Sequence, residues 1–118
     1  MPERLHYLFV CYANLDRSPT AEAVCQRIAA GNGLDIEASS AGISDGANRP
    51  VTKRMADLAD KIFVMEPYMA TEMVEEYGQN PAKVFCMEIP DIYERDEPEL
   101  VRTLEQKLYE HLMQEGLI

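Results

Sequence analysis

Cys11 and Arg17 bracket the segment Cys11-Tyr12-Ala13-Asn14-Leu15-Asp16-Arg17-Ser18. The cysteine ends the continuous apolar run Leu8-Phe9-Val10-Cys11, and Ser18-Pro19 behind the arginine reads as a helix N-cap followed by a first-turn proline. A strand, a short turn and a helix start in that order make an oxyanion cradle. Successive backbone amides of the turn converge on one anion, and the helix N-terminus adds unpaired donors and partial positive charge. Arg17 supplies a planar fork that matches two oxygens of a phosphate group. The same field favours a thiolate at Cys11, and a thiolate beneath a bound phosphate is placed for in-line attack. The bland alternative is that Cys11 fills the core, as strand-end cysteines often do. The combined context favours the anion site, and Asn14 supports it because Asn tolerates the left-handed backbone of a tight loop.

The elements that must position this segment alternate along the chain. Leu5–Cys11 suits a parallel strand buried on both faces. Ala21, Val24, Cys25, Ile28 and Ala29 recur on one helical face, and Gly31-Asn32-Gly33 stops that helix. Residues 34–41 read as a second strand with Ile36, Ala38 and Ser40 on one side, followed by a Gly- and Asn-rich loop, Ala41–Pro50. A short helix fits Thr52–Leu58, and Lys61–Met65 is a third buried strand. Pro67 opens a helix that Gly78 ends, with Met69, Met73, Val74 and Tyr77 inward. Lys83–Met87 is the fourth strand. After the loop Ile89–Asp96, Pro98 begins a last helix, with Leu100, Val101, Leu104, Leu108 and Leu112 facing the sheet. Alternating strands and helices imply an α/β fold of three layers, a four-stranded parallel sheet with helices on both faces, in a single domain over 1–118. Ligands of such sheets bind beyond the carboxyl ends of the strands, where Cys11, Met65-Glu66 and the loop after Cys86 fall.

Composition narrows the function. The 118 residues carry a net charge of −10, with nine acidic and three basic side chains in residues 88–118 but three acidic and two basic in residues 1–25. A broad acidic face excludes nucleic acid as the expected partner and repels anionic membranes, while one local site can still hold a small anion. The longest apolar run, Leu8–Ala13, falls far short of a membrane span, and Met1-Pro2-Glu3-Arg4 begins no signal-peptide pattern. Three cysteines without a CxxC pattern fit neither a disulfide scaffold nor a zinc ribbon, so a reducing, cytoplasmic setting is expected.

The stretch from Val10-Cys11 through Arg17-Ser18-Pro19-Thr20-Ala21-Glu22 resembles the phosphate loop of the low-molecular-weight protein tyrosine phosphatases. Ser40-Ala41-Gly42, Ile62–Glu66 and Pro90-Asp91-Ile92-Tyr93 match further stretches in the same order. The resemblance implies a phosphomonoester hydrolase that works through a cysteinyl-phosphate, without metal or cofactor. It implies Cys11 as nucleophile, Arg17 as phosphate clamp and Asp91 as general acid. Tyr12, Ala13, Asn14, Leu15, Asp16 and Ser18 would complete the phosphate loop. Asn14, Ser18 and Ser40 would shape it by hydrogen bonds and support the thiolate, and Tyr93 would wall the substrate cleft. The implied substrates are a phosphotyrosine-containing protein or a small aryl phosphate, with inorganic phosphate and vanadate as ligands. An Asp also makes independent chemical sense, since an aryl leaving group needs a proton and the resulting carboxylate can then activate water.

Departures from that pattern bear on specificity. Ala13 stands where Gly is usual, Asp16 where many members have a second Cys, Ile92 where Pro is usual and Gly46 where a second aromatic wall is frequent; one helical segment between Gly42 and Asp57 is lacking. Leu15 matches the branched aliphatic of tyrosine-selective members rather than the Thr of phosphoarginine-selective ones. Asp16 is expected to face partly outward and to weaken phosphate binding by charge repulsion. Cys25 and Cys86 read as core residues, His6 and His111 as isolated structural or solvated groups. Two other functions remain in view: a catalytically weak phosphate- or phosphoprotein-binding module, and a thiol-linked arsenate reductase, which would need partner thiols within reach of Cys11.

Overall fold

A computed structural model of the chain describes residues 4–118; the reading of Met1–Glu3 lies outside them. In chain order the elements are β1 (Leu5–Cys11), α1 (Arg17–Gly31), β2 (Ile36–Gly42), α2 (Lys53–Leu58), β3 (Lys61–Val64), α3 (Pro67–Glu75), β4 (Val84–Cys86) and α4 (Pro98–Gln114). The four strands form one sheet in the order β2-β1-β3-β4. Every pairing is parallel, with Cys11 opposite Gly42, Phe9 opposite Ser40 and Phe63, and Phe63 opposite Phe85. The fold is thus the three-layer parallel α/β architecture that the alternating pattern implies.

β1 is central, which explains its unbroken apolar run: Tyr7 through Cys11 are all buried. β2 and β4 lie on opposite sides of the β1/β3 pair, so right-handed crossovers send α1 and α3 to opposite faces. α1 packs on β1, β2 and α4, and α3 packs on β3 and β4. Leu100, Leu104, Leu108 and Leu112 of α4 are fully buried, and each such leucine contributes roughly 1.5–3 kcal/mol by leaving water. β1 connects outward to β2 and β3 outward to β4, so the connections diverge between β1 and β3, and the β1–α1 turn opens into that crevice.

Local details differ from the sequence reading: β2 begins at Ile36 and ends at Gly42, β3 ends at Val64, β4 is only Val84–Cys86, and Val74 of α3, read as inward, does not pack on the core. α1 begins at Arg17, and its N-cap is Asp16 rather than Ser18. The Ser18 hydroxyl is committed to Cys11 and Asn14, and a side chain recruited by tertiary contacts cannot also cap the helix. Cys86, read as core, is exposed. β4 is a short edge strand, and an apolar run there is covered only in part. Cys25 is buried on α1 as expected, and desolvation pushes its thiol up to about 12.

At the β4 edge the rings of Phe9, Phe63 and Phe85 stack in a row, with centroids 5.0 and 5.7 Å apart. His111 of α4 stands edge-on to this row, 4.9 Å from Phe63 and 4.8 Å from Phe85. It is structural, as the sequence reading holds.

Candidate active site

The β1–α1 turn forms one wall of a cavity of about 160 Å³ lined by Cys11, Ala13, Leu15, Asp16, Arg17 and Asp91. Its shape comes from how the turn is held from outside. The carbonyls of Cys11, Tyr12 and Ala13 accept hydrogen bonds from the amides of Ile43, Ser44 and Asn48, at 2.9, 3.0 and 3.0 Å. With those carbonyls fixed outward, the amides of Ala13, Leu15, Asp16, Arg17 and Ser18 find no acceptor among the described residues. Asn14 adopts φ 54°, the left-handed conformation expected of it, which turns the chain so that its own amide donates to Cys11 Sγ at 3.2 Å.

Gly42 is the residue that lets the turn sit this low, a role the sequence reading missed. A Cβ at position 42 would stand 2.7 Å from the Tyr12 carbonyl oxygen, 3.0 Å from the Asn14 amide and 2.5 Å from Ala47 Cβ. No side chain fits there.

The buried polar network around the thiol is continuous. Asn14 Nδ2 donates to Ser18 Oγ at 2.8 Å, and Ser18 Oγ lies 3.0 Å from Cys11 Sγ and 3.3 Å from the Ala41 carbonyl. Ser18 has one hydrogen to give. A Cys11 thiol can donate to Ser18 while Ser18 donates to Ala41; a Cys11 thiolate can instead receive the Ser18 hydrogen. Ser40, expected in this network, forms no side-chain hydrogen bond to Cys11, Asn14 or Ser18 among the described residues. Its register opposite Phe9 sets it below the turn, and the Ala41 carbonyl meets Ser18 in its stead.

Arg17 is only 2% exposed, and a buried guanidinium requires partners. Its Nη1 donates to Glu66 Oε2 at 2.9 Å and to the Ile89 carbonyl at 2.7 Å. Both Nη1 hydrogens are thereby occupied. The opposite Nε–Nη2 edge, which makes bidentate contacts, has no hydrogen-bond acceptor among the described residues. Asp91 Oδ1 lies 3.7 Å from Nε, and the Asp91 side chain is well exposed at the cavity mouth. Sequence reasoning placed Glu66 at this sheet edge but did not identify it as the partner of Arg17.

The other expected residues divide. Tyr12 and Leu15 are exposed beside the cavity, and Ile92 is the most exposed apolar side chain of the acid-bearing loop. Tyr93 does not line the cavity; it packs half-buried against the apolar core. Asp16 makes no ion pair with Arg17. Its Oδ1 accepts from the Arg95 amide at 2.9 Å, across the site in the loop that carries Asp91. Cys86 lies two strands from β1, so its Cα stands roughly 10 Å from that of Val10, beyond the ~7 Å reach of a disulfide. That geometry takes Cys86 away as a partner thiol for Cys11, and with it one support of the arsenate-reductase reading. Among the described residues no helix is long and apolar enough to cross a membrane.

Comparisons with known proteins bear on the family and the fold. A curated relative, the protein-arginine-phosphatase of Bacillus subtilis (strain 168), is 29% identical over 80 residues, covering 68% of this chain and 53% of the relative. The chain thus spans about half the length of that relative. Among solved structures, the tyrosine phosphatase Wzb from Escherichia coli K30 in complex with phosphate superposes with a TM-score of 0.76 at 20% identity, covering 95% of this chain and 99% of that one. YfkJ from Bacillus subtilis superposes with a TM-score of 0.74 at 24% identity, covering 97% and 98%. At these identities the superpositions establish the fold. The family model for low molecular weight phosphotyrosine protein phosphatase matches residues 6–88, most of the 118, and takes in β1, the cradle, α1 and all four strands. The chain therefore belongs to the low molecular weight phosphotyrosine protein phosphatase family.

Proposed function

We propose that this chain hydrolyses phosphate monoesters of aryl type, tyrosyl phosphate among them, through a cysteinyl-phosphate on Cys11. The observation that carries the reading is convergence: Cys11, turn residues whose amides have no protein acceptor, and Arg17, whose Nε–Nη2 edge makes no hydrogen bond and faces only the Asp91 carboxylate at 3.7 Å, all line one 160 Å³ cavity. A phosphate dianion there accepts from the amides and from Arg17 Nε and Nη2. Donors fixed before the reaction are worth more than donors that must reorganise during it.

In the first step the Cys11 thiolate attacks phosphorus, the bond to the aryl oxygen breaks, and Asp91 gives its proton to that oxygen. In the second, the Asp91 carboxylate takes a proton from water as the water oxygen attacks phosphorus. The S–P bond then breaks, releasing inorganic phosphate and restoring the thiolate. Ser18, reinforced by Asn14, supports the thiolate as nucleophile in the first step and as leaving group in the second. Glu66 and the Ile89 carbonyl hold Arg17 so that only its free edge meets the phosphate.

Aryl esters are preferred because Leu15 offers exposed apolar surface at the cavity, and Ile92 offers more beside Asp91 in the acid loop. A second reading, phosphoarginine, is favoured by the curated relative and by Asp16 and Asp91, whose carboxylates would pair with a guanidinium. The deciding experiment compares turnover of phosphotyrosine and phosphoarginine peptides, with phosphate trapped on the quenched protein. A vanadate-sensitive phosphotyrosine activity whose trapped phosphate vanishes in Cys11→Ser supports the proposal. Faster phosphoarginine turnover moves the substrate to the second reading. Phosphate binding without turnover of either makes the chain a binding module.

A further inference from the structure

The loop that carries Asp91 begins and ends in residues of unfavourable backbone conformation. Glu88 has φ 53° and Asp96 has φ 61°, and neither is glycine. Such residues each cost on the order of 1–3 kcal/mol and persist where neighbouring contacts over-determine them. At the Asp96 end those contacts come from the phosphate-loop side of the molecule. Asp16 Oδ1 accepts from the Arg95 amide at 2.9 Å, and Thr20 Oγ1 accepts from the Asp96 amide at 2.9 Å. Thr20 in turn donates to the Asp16 carbonyl at 2.7 Å, so both acceptors belong to one rigid helix start. A side chain at the N-cap position normally satisfies the first-turn amides of its own helix; that of Asp16 makes no such bond. Its Oδ1 serves the other loop instead.

We infer that Asp16 is a positioning residue: with Thr20 it ties the Arg95–Asp96 end of the acid loop to the phosphate loop and so sets Asp91 over the cavity mouth. The carboxylate near the cradle is therefore part of the machinery rather than only a repulsive charge. This rests on the reading of Asp91 as the general acid, and the coupling is geometric. Asp91 lies four residues before Arg95, with the half-buried Tyr93 between them, and a misplacement of about 1 Å can lower a rate by roughly 10².

The test measures kcat/KM, which reports the leaving-group step and not the common hydrolysis step, across aryl phosphates of graded leaving-group basicity for wild type, Asp16→Ala, Asp16→Asn, Asp91→Asn and the Asp16→Ala/Asp91→Asn pair. Asn keeps an acceptor for the Arg95 amide and drops the charge; Ala drops both. Asp16→Ala is expected to slow the most basic leaving group about tenfold with little change for the best one, a selective loss in the sense of general acid catalysis. Asp16→Asn should restore most of it, and in the Asp91→Asn background Asp16→Ala should add no further leaving-group dependence. Should Asp16→Ala not fold, Thr20→Val, which releases the adjacent amide, is read the same way. A steep response in Asp91→Asn with a flat one in Asp16→Ala overturns the positioning role alone, as does Asp16→Asn behaving like Asp16→Ala. A flat response in Asp91→Asn overturns the acid reading and the inference with it.

Discussion

The segment from Cys11 to Ser18 is held along its whole length, whereas the segment from Glu88 to Asp96 is held at its ends. In the first, three successive carbonyls are fixed by the 43–48 loop, and Asn14, Ser18 and Arg17 are all buried and bonded. In the second, the Ile89 amide donates to the Met65 carbonyl at 2.9 Å and its carbonyl receives Arg17, while Arg95 and Asp96 are tied to α1. Pro90, Asp91 and Ile92 between those anchors are exposed. The contrast matches two chemical tasks. Recognising a phosphate profits from donors that do not reorganise. Delivering a proton to leaving groups and then to water asks for a group at the solvent boundary.

The sharpest way to break the contrast is to remove the centre of the rigid half. Cys11→Ser should reduce aryl phosphate turnover to background while vanadate and phosphate still bind, since the cradle is built from backbone amides and Arg17. Turnover near wild type would take the nucleophile's role away from Cys11. Arg17→Lys should abolish turnover as well, and should also weaken vanadate binding, because an ammonium cannot supply the fork or satisfy Glu66 and Ile89 together. Tight vanadate binding by Arg17→Lys is the result that the cradle could not survive.

The exposed half should respond differently. Asp91→Asn is expected to lower kcat/KM for poor leaving groups by roughly 10²–10⁴ and for good ones far less, with vanadate affinity near wild type. Equal losses across leaving groups would assign Asp91 a structural role and point to Glu94 or Asp96 in the same loop.

How much of this was legible in the sequence follows the same division. The rigid half is local: an apolar strand, a turn, a helix start and an Asn at the left-handed position all lie within residues 5–21, and each was readable from residue type and spacing. What failed there was the cap, since a Ser before Pro is a strong local signal that cannot reveal a hydroxyl drawn to Cys11. The exposed half is nonlocal. Its tethers join residues 76 and 79 positions apart, and the partner of Arg17 lies 49 positions away at Glu66, so no periodicity carries them. Asp91 itself was found through family resemblance. Ser40 reads on the same side of its strand as Ile36 and Ala38, but the strand register that sets it level with Phe9 is invisible in a single sequence. Cys86 lay in an apolar run that reads the same in a central strand as in an edge strand, and only the strand order distinguishes them.

Gly42→Ala sharpens the comparison by disturbing the rigid half from beneath. The added Cβ collides with backbone at Tyr12 and Asn14, which cannot yield as a flexible side chain would. Overpacking of this kind costs about 1–3 kcal/mol. The variant should melt earlier and bind vanadate more weakly, yet keep the wild-type leaving-group dependence because the acid loop is untouched. A changed leaving-group dependence with unchanged vanadate affinity would show that Gly42 acts on the acid loop instead.

The smallest effect should come from a site that serves neither loop. His111 sits against Phe63, Phe85 and Tyr7, and burial holds its pKa below the ordinary histidine value, with Lys61 adding to that and Glu115 opposing it. A group whose folded pKa is depressed binds protons more readily when unfolded. Stability from keeping His111 neutral is therefore complete above the unfolded value near 6.5 and is lost as pH falls from there through the lower folded value. Replacing His111 with Phe keeps a ring against the aromatic row and removes the proton site. Unfolding measured by denaturant between about pH 7 and 5 should then depend on pH less steeply than in wild type, the interval being set by the ordinary histidine pKa. Glu115, whose pKa is lowered chiefly by its hydrogen bond from Lys61, titrates below that window and leaves it readable. Vanadate affinity and leaving-group dependence should stay at wild-type values, because the change touches only the sheet on which both loops stand. An unchanged pH slope would mean that His111 is as easily protonated in the folded chain as in the unfolded one, despite its contacts with three aromatic rings.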